Sequence, residues 1–239
     1  MADVNPTVPE RVAGYLAAIA TAVVITAIAI VPFLTPAWVS FEQIRTGAPQ
    51  LTGFTPDELR TATDAILADL VVGPPDFDVA IGGAPVLNER ERAHMRDVRG
   101  VFAGFALLAV LAAVGIAAAF FLARRMGHTE RAWAAIRNGA RGLVIGVVIA
   151  GVVAFFAFDT VFEVFHRLFF PGGSYLFDPA TDRLVQLFPF AFWSETTMAV
   201  GAVIIVLSLL VSTLAGRRTH PYTRSAAAGA GLANPEAAR

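Results

Sequence analysis

The chain has 239 residues, 56% of them hydrophobic and 15% charged, with a formal net charge of −1 and a mean hydropathy of +0.64. This composition is that of a membrane protein, and it supplies no basic surface for nucleic acid. Cysteine is absent, which removes disulfides, thiolate metal sites and any thioester intermediate on this chain.

Residues up to Pro9 are polar and proline-bearing and read as a loose tail. An uncharged run from Val12 to Phe41 predicts a spanning helix over about 12–34, with Pro32 and Pro36 marking a kink or exit and Trp38 placed as an interfacial anchor. A cleaved signal peptide is the alternative for this run. Its apolar core of ~20 residues exceeds the ~7–15 usual for such peptides and favours an uncleaved anchor.

In the connection 36–99, Thr55-Pro56-Asp57-Glu58 combines an N-cap, a proline at the first helical position and a capping-box glutamate, so a helix starts there. Leu59, Thr63, Ile66, Leu67 and Leu70 give it an apolar face, and Gly73-Pro74-Pro75 stops it. Residues 76–81 predict a short extended piece before Gly82-Gly83. Asn88-Glu89-Arg90-Glu91 is a second capping signature, opening a helix that runs into the second span, 100–123. His94 heads the apolar stripe of this helix, followed by Val98, Val101 and Phe105, and Asp97 lies within reach of the imidazole. A histidine that only packs or caps fits the same pattern.

Gly100 and Gly104, and Gly142 and Gly146 in the third span (142–158), have the spacing that lets helices approach closely. From Phe158 the chain reads as an amphipathic helix with Phe162, Phe165 and Phe169 on one face and Asp159, Glu163, His166 and Arg167 on the other. Glu163 can pair with Arg167 or flank His166, and nearby carboxylates would orient the ring and favour its protonated form. A solvated interfacial face is the plainer reading. Pro171-Gly172-Gly173 breaks the chain, Asp178 to Asp182 makes a turn, and Leu184 to Phe188 dips back before the fourth span, 196–216.

Arg124, Arg125, Arg131, Arg137 and Arg141 crowd the connection between the second and third spans, and Arg217, Arg218 and Arg224 follow the fourth, so those sides are cytoplasmic. The connections 36–99 and 159–195 then face out, with both termini inside a bacterial plasma membrane. His128 and His220 fall among the inner arginines and read as solvated. The expected fold is all-α: one four-helix membrane domain over 1–218, a small extracytoplasmic cap built from the first and third connections, and a disordered cytoplasmic tail over 219–239.

Two outward histidines, each with acids nearby, suggest a lipid-facing acid/base site. A metal-dependent lipid hydrolase with His94, Asp97 and His166 as ligands, or a non-catalytic docking protein, are the alternatives. No short metal-binding signature is present. No span carries an internal charge, which argues against transport.

At these residues the chain resembles the lipoprotein intramolecular transacylases, a family of four-span bacterial membrane proteins. One block is His94-Met95-Arg96-Asp97-Val98-Arg99 with Glu91 upstream; the other is Phe165-His166 followed by Phe169-Phe170, Asp178, Asp182, Leu184 and Phe188-Pro189. The family usually has an acid at the position of Phe190 and a Trp at that of Tyr175. The resemblance implies transfer of an acyl chain from the sn-2 glycerol ester of a diacylglyceryl lipoprotein to the α-amine of its N-terminal cysteine, without a cofactor or metal. It casts His166 as base or proton shuttle, His94 as its partner, and Asp97 and Glu163 as orienting groups. Arg99, Arg167, Tyr175, Asp178 and Asp182 become substrate-binding candidates. The partners it implies are a membrane-anchored lipoprotein and the lipid bilayer, while the oligomeric state stays open.

Overall fold

The structure, a computed structural model, describes residues 7–170 and 172–219. Their α-helices are, in chain order, α1 Val8–Ile30, α2 Pro36–Arg45, α3 Ala48–Thr52, α4 Pro56–Val71, α5 Glu89–Arg125, α6 Thr129–Phe169, α7 Arg183–Leu187 and α8 Phe190–Arg218. A 3-10 turn over Val31–Leu34 follows α1, and β1 Ala80–Ile81 pairs antiparallel with β2 Ala84–Pro85 in a two-residue hairpin. The fold is thus all-α apart from that hairpin. The expected tail, with His220, and Pro171 of the expected chain break lie outside the described residues.

Four helices are long and apolar enough to cross a membrane: α1 with its 3-10 turn, α5, α6 and α8. The 37 residues of α5 and the 41 of α6 extend to about 55–60 Å at ~1.5 Å per residue, well past a hydrocarbon core of ~30 Å. Both helices therefore continue beyond the apolar runs 100–123 and 142–158, and those continuations carry His94 and His166. In α6 the change is marked by a non-helical residue, Ala157 (φ −143°, ψ 43°).

The chain forms two compact units. The first comprises described residues up to Ile25, Ala109–Gly146 and those from Ile204 on. Within it α6 meets α1 at Gly139, where a Cβ would lie 2.3 Å from the carbonyl oxygen of Ala18. The glycines singled out by spacing behave otherwise, since a Cβ at Gly100, Gly104, Gly142 or Gly146 would meet nothing within 4 Å. Arg137 donates to Thr219 Oγ1 (3.1 Å), Arg141 to Ser212 Oγ (3.2 Å), and Arg131 pairs with Glu10.

The second unit, Thr26–Leu108 and Val147–Val203, has one apolar core to which α2, α4, the start of α5 and α7 contribute, with Val39, Leu59, Ile66, Phe77, Leu87 and Leu187 buried. The Thr55–Glu58 capping box opens α4 as its sequence requires. Polar groups inside this unit are paired. Gln43 Nε2 donates to the carbonyl of Leu187 (3.1 Å), and its Oε1 accepts from Thr63 Oγ1 (2.7 Å). Glu91, 1% exposed, accepts from the backbone N–H groups of Asn88 (2.7 Å) and Leu184 (2.6 Å), while Asn88 Oδ1 accepts from the N–H of Glu91 (3.0 Å).

Glu91→Ala leaves the Asn88 and Leu184 amides without their partner, each a loss of about 1–3 kcal/mol. A clearly lowered unfolding midpoint in detergent is expected. Gly139→Val forces α6 off the α1 backbone and is expected to cost about 1–3 kcal/mol, whereas Gly142→Ala should leave the midpoint unchanged in the same thermal assay.

Candidate active site

α5 and α6 bring His94 and His166 together, although they are far apart in sequence. The His94 and His166 rings lie 6.2 Å apart between centroids, stacked at an interplanar angle of 24°. His94 is buried, edge-on to Phe170 (4.8 Å) and Phe177 (5.4 Å). His166 is half-buried against Phe162 (4.0 Å), Phe170 (5.5 Å) and Tyr175 (5.0 Å). Three of these rings come from the segment after α6, so that segment walls the pair.

The hydrogen bonds assign the tautomers. His166 Nδ1 lies 2.7 Å from the carbonyl oxygen of Phe162, one turn earlier; a carbonyl only accepts, so Nδ1 carries the proton and Nε2 the lone pair. His94 Nδ1 lies 3.4 Å from Ser174 Oγ, which donates to Asp97 Oδ2 at 3.3 Å. With the hydroxyl proton committed to the carboxylate, Nδ1 of His94 donates to Ser174, and its Nε2 is again free. Both contacts are longer than the ~2.7–2.8 Å of a strong hydroxyl bond.

Burial dominates the protonation of both rings. It pushes His94 down to about 4, aided by the neighbouring charge on a protonated His166 and opposed by Asp97. It also lowers His166, opposed by the Phe162 carbonyl. The expectation that nearby carboxylates would favour the protonated form of His166 is corrected here: burial lowers that ring and the Phe162 carbonyl, not a carboxylate, opposes it, so both rings are neutral near pH 7.

Asp97 reaches His94 through Ser174, a loop residue that helical spacing does not bring to Asp97. Glu163 pairs with Arg167 at 2.5 Å on the exposed side of α6, and the group that meets His166 is the Phe162 carbonyl. Tyr175 stands beside His166. Arg99 donates to the carbonyls of Gly73 (2.7 Å) and Asp69. Asp178 caps its own turn through the N–H of Ala180 (2.9 Å). Asp182 accepts from Asn88 (3.1 Å), Arg90 (2.8 Å) and the Asp178 N–H (2.8 Å), which together hold its carboxyl below the usual range, the Asp178 bond foremost. Arg99, Asp178 and Asp182 thus serve the scaffold in this structure. Among the described residues no three His, Asp or Glu side chains are grouped as a metal-ligand set.

Residues 13–193 match the family described as lipoprotein intramolecular transacylase Lit. An uncharacterized protein of Aquifex aeolicus (strain VF5) is 27% identical over 130 residues, 54% of this chain; the chain spans 56% of that relative's length. The fold is similar to that of the membrane integral lipoprotein intramolecular transacylase Lit from Bacillus cereus, solved in meso, with a TM-score of 0.71 at 19% identity, covering 86% of this chain and 94% of that one. A variant of that protein with a histidine replaced by alanine gives a TM-score of 0.69 at 20% identity, over 87% and 93% of the two chains. Since the family match runs through both histidine-bearing helices and the connections that wall them, this chain belongs to the lipoprotein intramolecular transacylase family, a family of integral membrane acyltransferases.

Proposed function

We infer that this chain moves the acyl chain on the sn-2 glycerol ester of a diacylglyceryl lipoprotein to the α-amine of that lipoprotein's N-terminal cysteine, leaving an N-acyl lyso-form product. Membership of the family supports the reaction class. The observation that carries the mechanism is the pair of neutral imidazoles at 6.2 Å, each with Nδ1 engaged and Nε2 free.

Donor and acceptor sit on one molecule, so alignment replaces an enzyme nucleophile. The amine nitrogen attacks the ester carbonyl, the N–C bond forms, and one Nε2 takes the proton the nitrogen sheds. The imidazolium so formed stands by the oxyanion, and as the C–O bond to glycerol breaks it returns the proton to the departing alkoxide. Ester and amine become amide and alcohol, and no water enters. Two imidazolium charges so close together in a desolvated pocket repel, so the pair holds one proton at a time, the number this reaction carries. Asp97 orients His94 through Ser174, and the Phe162 carbonyl orients His166. Tyr175 and the exposed Arg167 face the substrate's polar parts. By the arginine distribution the site lies on the outer face of a bacterial cell membrane, with both termini inside.

A reporter lipoprotein expressed with this protein in a host unable to N-acylate tests the reading by tandem mass spectrometry of its N-terminal lipopeptide. The intact mass should be unchanged, with fragments showing one chain on the amine, and His94→Ala or His166→Ala should reduce that isomer by about 10²-fold or more. A deacylated peptide, or an unaltered one with folded protein present, would sink it.

The pH profile is a separate check. The acceptor amine, with a pKa near ~7.7–8.0, must lose its proton, so log kcat/KM should rise with a slope of one below that value. Both folded-state imidazole pKa values are depressed, so the base form persists below the ordinary ~6.5 and is lost only as pH falls toward about 4 for His94. A slope steepening to two below pH ~6.5 would show an ordinary histidine and contradict the assignment.

A further inference from the structure

A groove of about 600 Å³ runs between α2, α6 and the start of α8, walled by Trp38, Ala154, Phe155, Phe158, Phe190 and Met198. Trp38 is fixed there by its Nε1–H bond to Thr196 (3.2 Å) and its edge contact with Phe33 (4.7 Å). The groove's charges form one cluster: Arg45 donates to both carboxylate oxygens of Glu42 (3.1 and 2.9 Å) and also pairs with Glu195. The remaining lining is hydrocarbon and aromatic, apart from Ser194.

The groove is joined to the histidine pair by ring contacts. Phe158 and Phe190 meet at 5.1 Å, Phe162 touches both at 5.9 and 6.3 Å, and Phe162 lies 4.0 Å from the His166 ring whose Nδ1 it also holds. An aromatic track of adjoining rings thus links the imidazole pair to the groove wall.

Charge narrows the occupant. Two carboxylates against one guanidinium leave the cluster with a net negative charge, which opposes a phosphate headgroup. A diacylglyceryl thioether carries no phosphate, and its hydrocarbon matches the walls.

We propose that this groove receives the acyl chain attached to the reacting carbonyl, so that the chain transferred is measured by the space between Ala154, Phe158 and Met198. The proposal rests on the acyl-transfer reading of the histidine site and adds a specificity determinant to it. Phe162 has two parts in it, orienting His166 through its carbonyl and starting the track with its ring. Ala154, 6% exposed, lines the groove from α6, so a larger side chain there takes up groove volume.

The test uses the full chain in nanodiscs with synthetic diacylglyceryl lipopeptides. In the first arm the sn-2 chain carries a diazirine near its end, His94→Ala blocks turnover, and the crosslinked residues are mapped by mass spectrometry. Label concentrated on residues 154–158 and 194–199 is the expected result. Label scattered over the lipid-facing sides of the four long helices, or the same groove label from an sn-1 diazirine instead, would overturn the proposal. Binding is read without turnover, so this arm stands even if the wild type transfers nothing, an outcome that would count against the reaction and leave the groove to be judged by its label.

In the second arm kcat/KM is compared for long and short sn-2 chains. Ala154→Phe should lower the long-over-short preference at least about tenfold while sparing short chains. Met198→Ala, at a part-exposed wall position where folding is not at stake, should shift the preference toward longer chains. Preferences unchanged in both variants would contradict the proposal.

Discussion

A buried carboxylate, Glu91, ties together the pieces that make the site. At the first turn of α5 it satisfies the Asn88 amide that a helix start leaves open, and with its other oxygen it takes the amide that starts α7. It thereby fastens the helix bearing His94 to the far end of the segment carrying Ser174, Tyr175 and Phe177. The neighbouring Asn88–Asp182–Arg90 contacts fasten the same two pieces from the solvent side. This clamp helps to hold the aromatic walls over the imidazoles, and the neutral state of the rings depends on those walls.

That dependence is electrostatic. A neutral imidazole is costly to charge where water is excluded, and here Phe170 and Phe177 exclude it from His94 while Asp97 acts from the exposed side through a hydroxyl. Desolvation wins because the carboxylate still faces solvent, which screens it. The outcome is a pair of bases with fixed tautomers, each aimed by a bond to its other nitrogen. Such a pair suits the proposed role of lending one proton place briefly.

Much of this was legible from the residues in order. Four uncharged runs identify four long helices because a bilayer sets the length, and the caps at Thr55 and Asn88 are read from side chains that act within three residues. The histidines stood out because His94 heads an apolar stripe and His166 sits on the charged face of an aromatic helix. What was not legible depends on distance along the chain. Ser174 meets Asp97 and His94 only because the Glu91 clamp folds its segment back. The sign of the His166 shift was misjudged because Phe170 and Tyr175, which pack on that ring, come from that same segment. Glu163 had two partners at helical spacing, and spacing cannot rank them; the guanidinium of Arg167 won. Close helix approach fell at Gly139, outside any paired-glycine pattern, because what decides it is the facing Ala18 backbone and not the repeat.

The central claim is that two neutral imidazoles, protonated at Nδ1 and free at Nε2, face the substrate together. Heteronuclear NMR of the imidazole nitrogens in the full chain, assigned with His94→Ala and His166→Ala, reads this directly. His94 should show the neutral form with its proton on Nδ1 down toward about pH 4, and His166 should keep its Nδ1-protonated neutral form to lower pH than the ordinary histidine value of ~6.5 allows. An imidazolium signal from His94 at about pH 6, a His166 ring that charges at or above the ordinary value, or a neutral ring protonated at Nε2 would contradict the account.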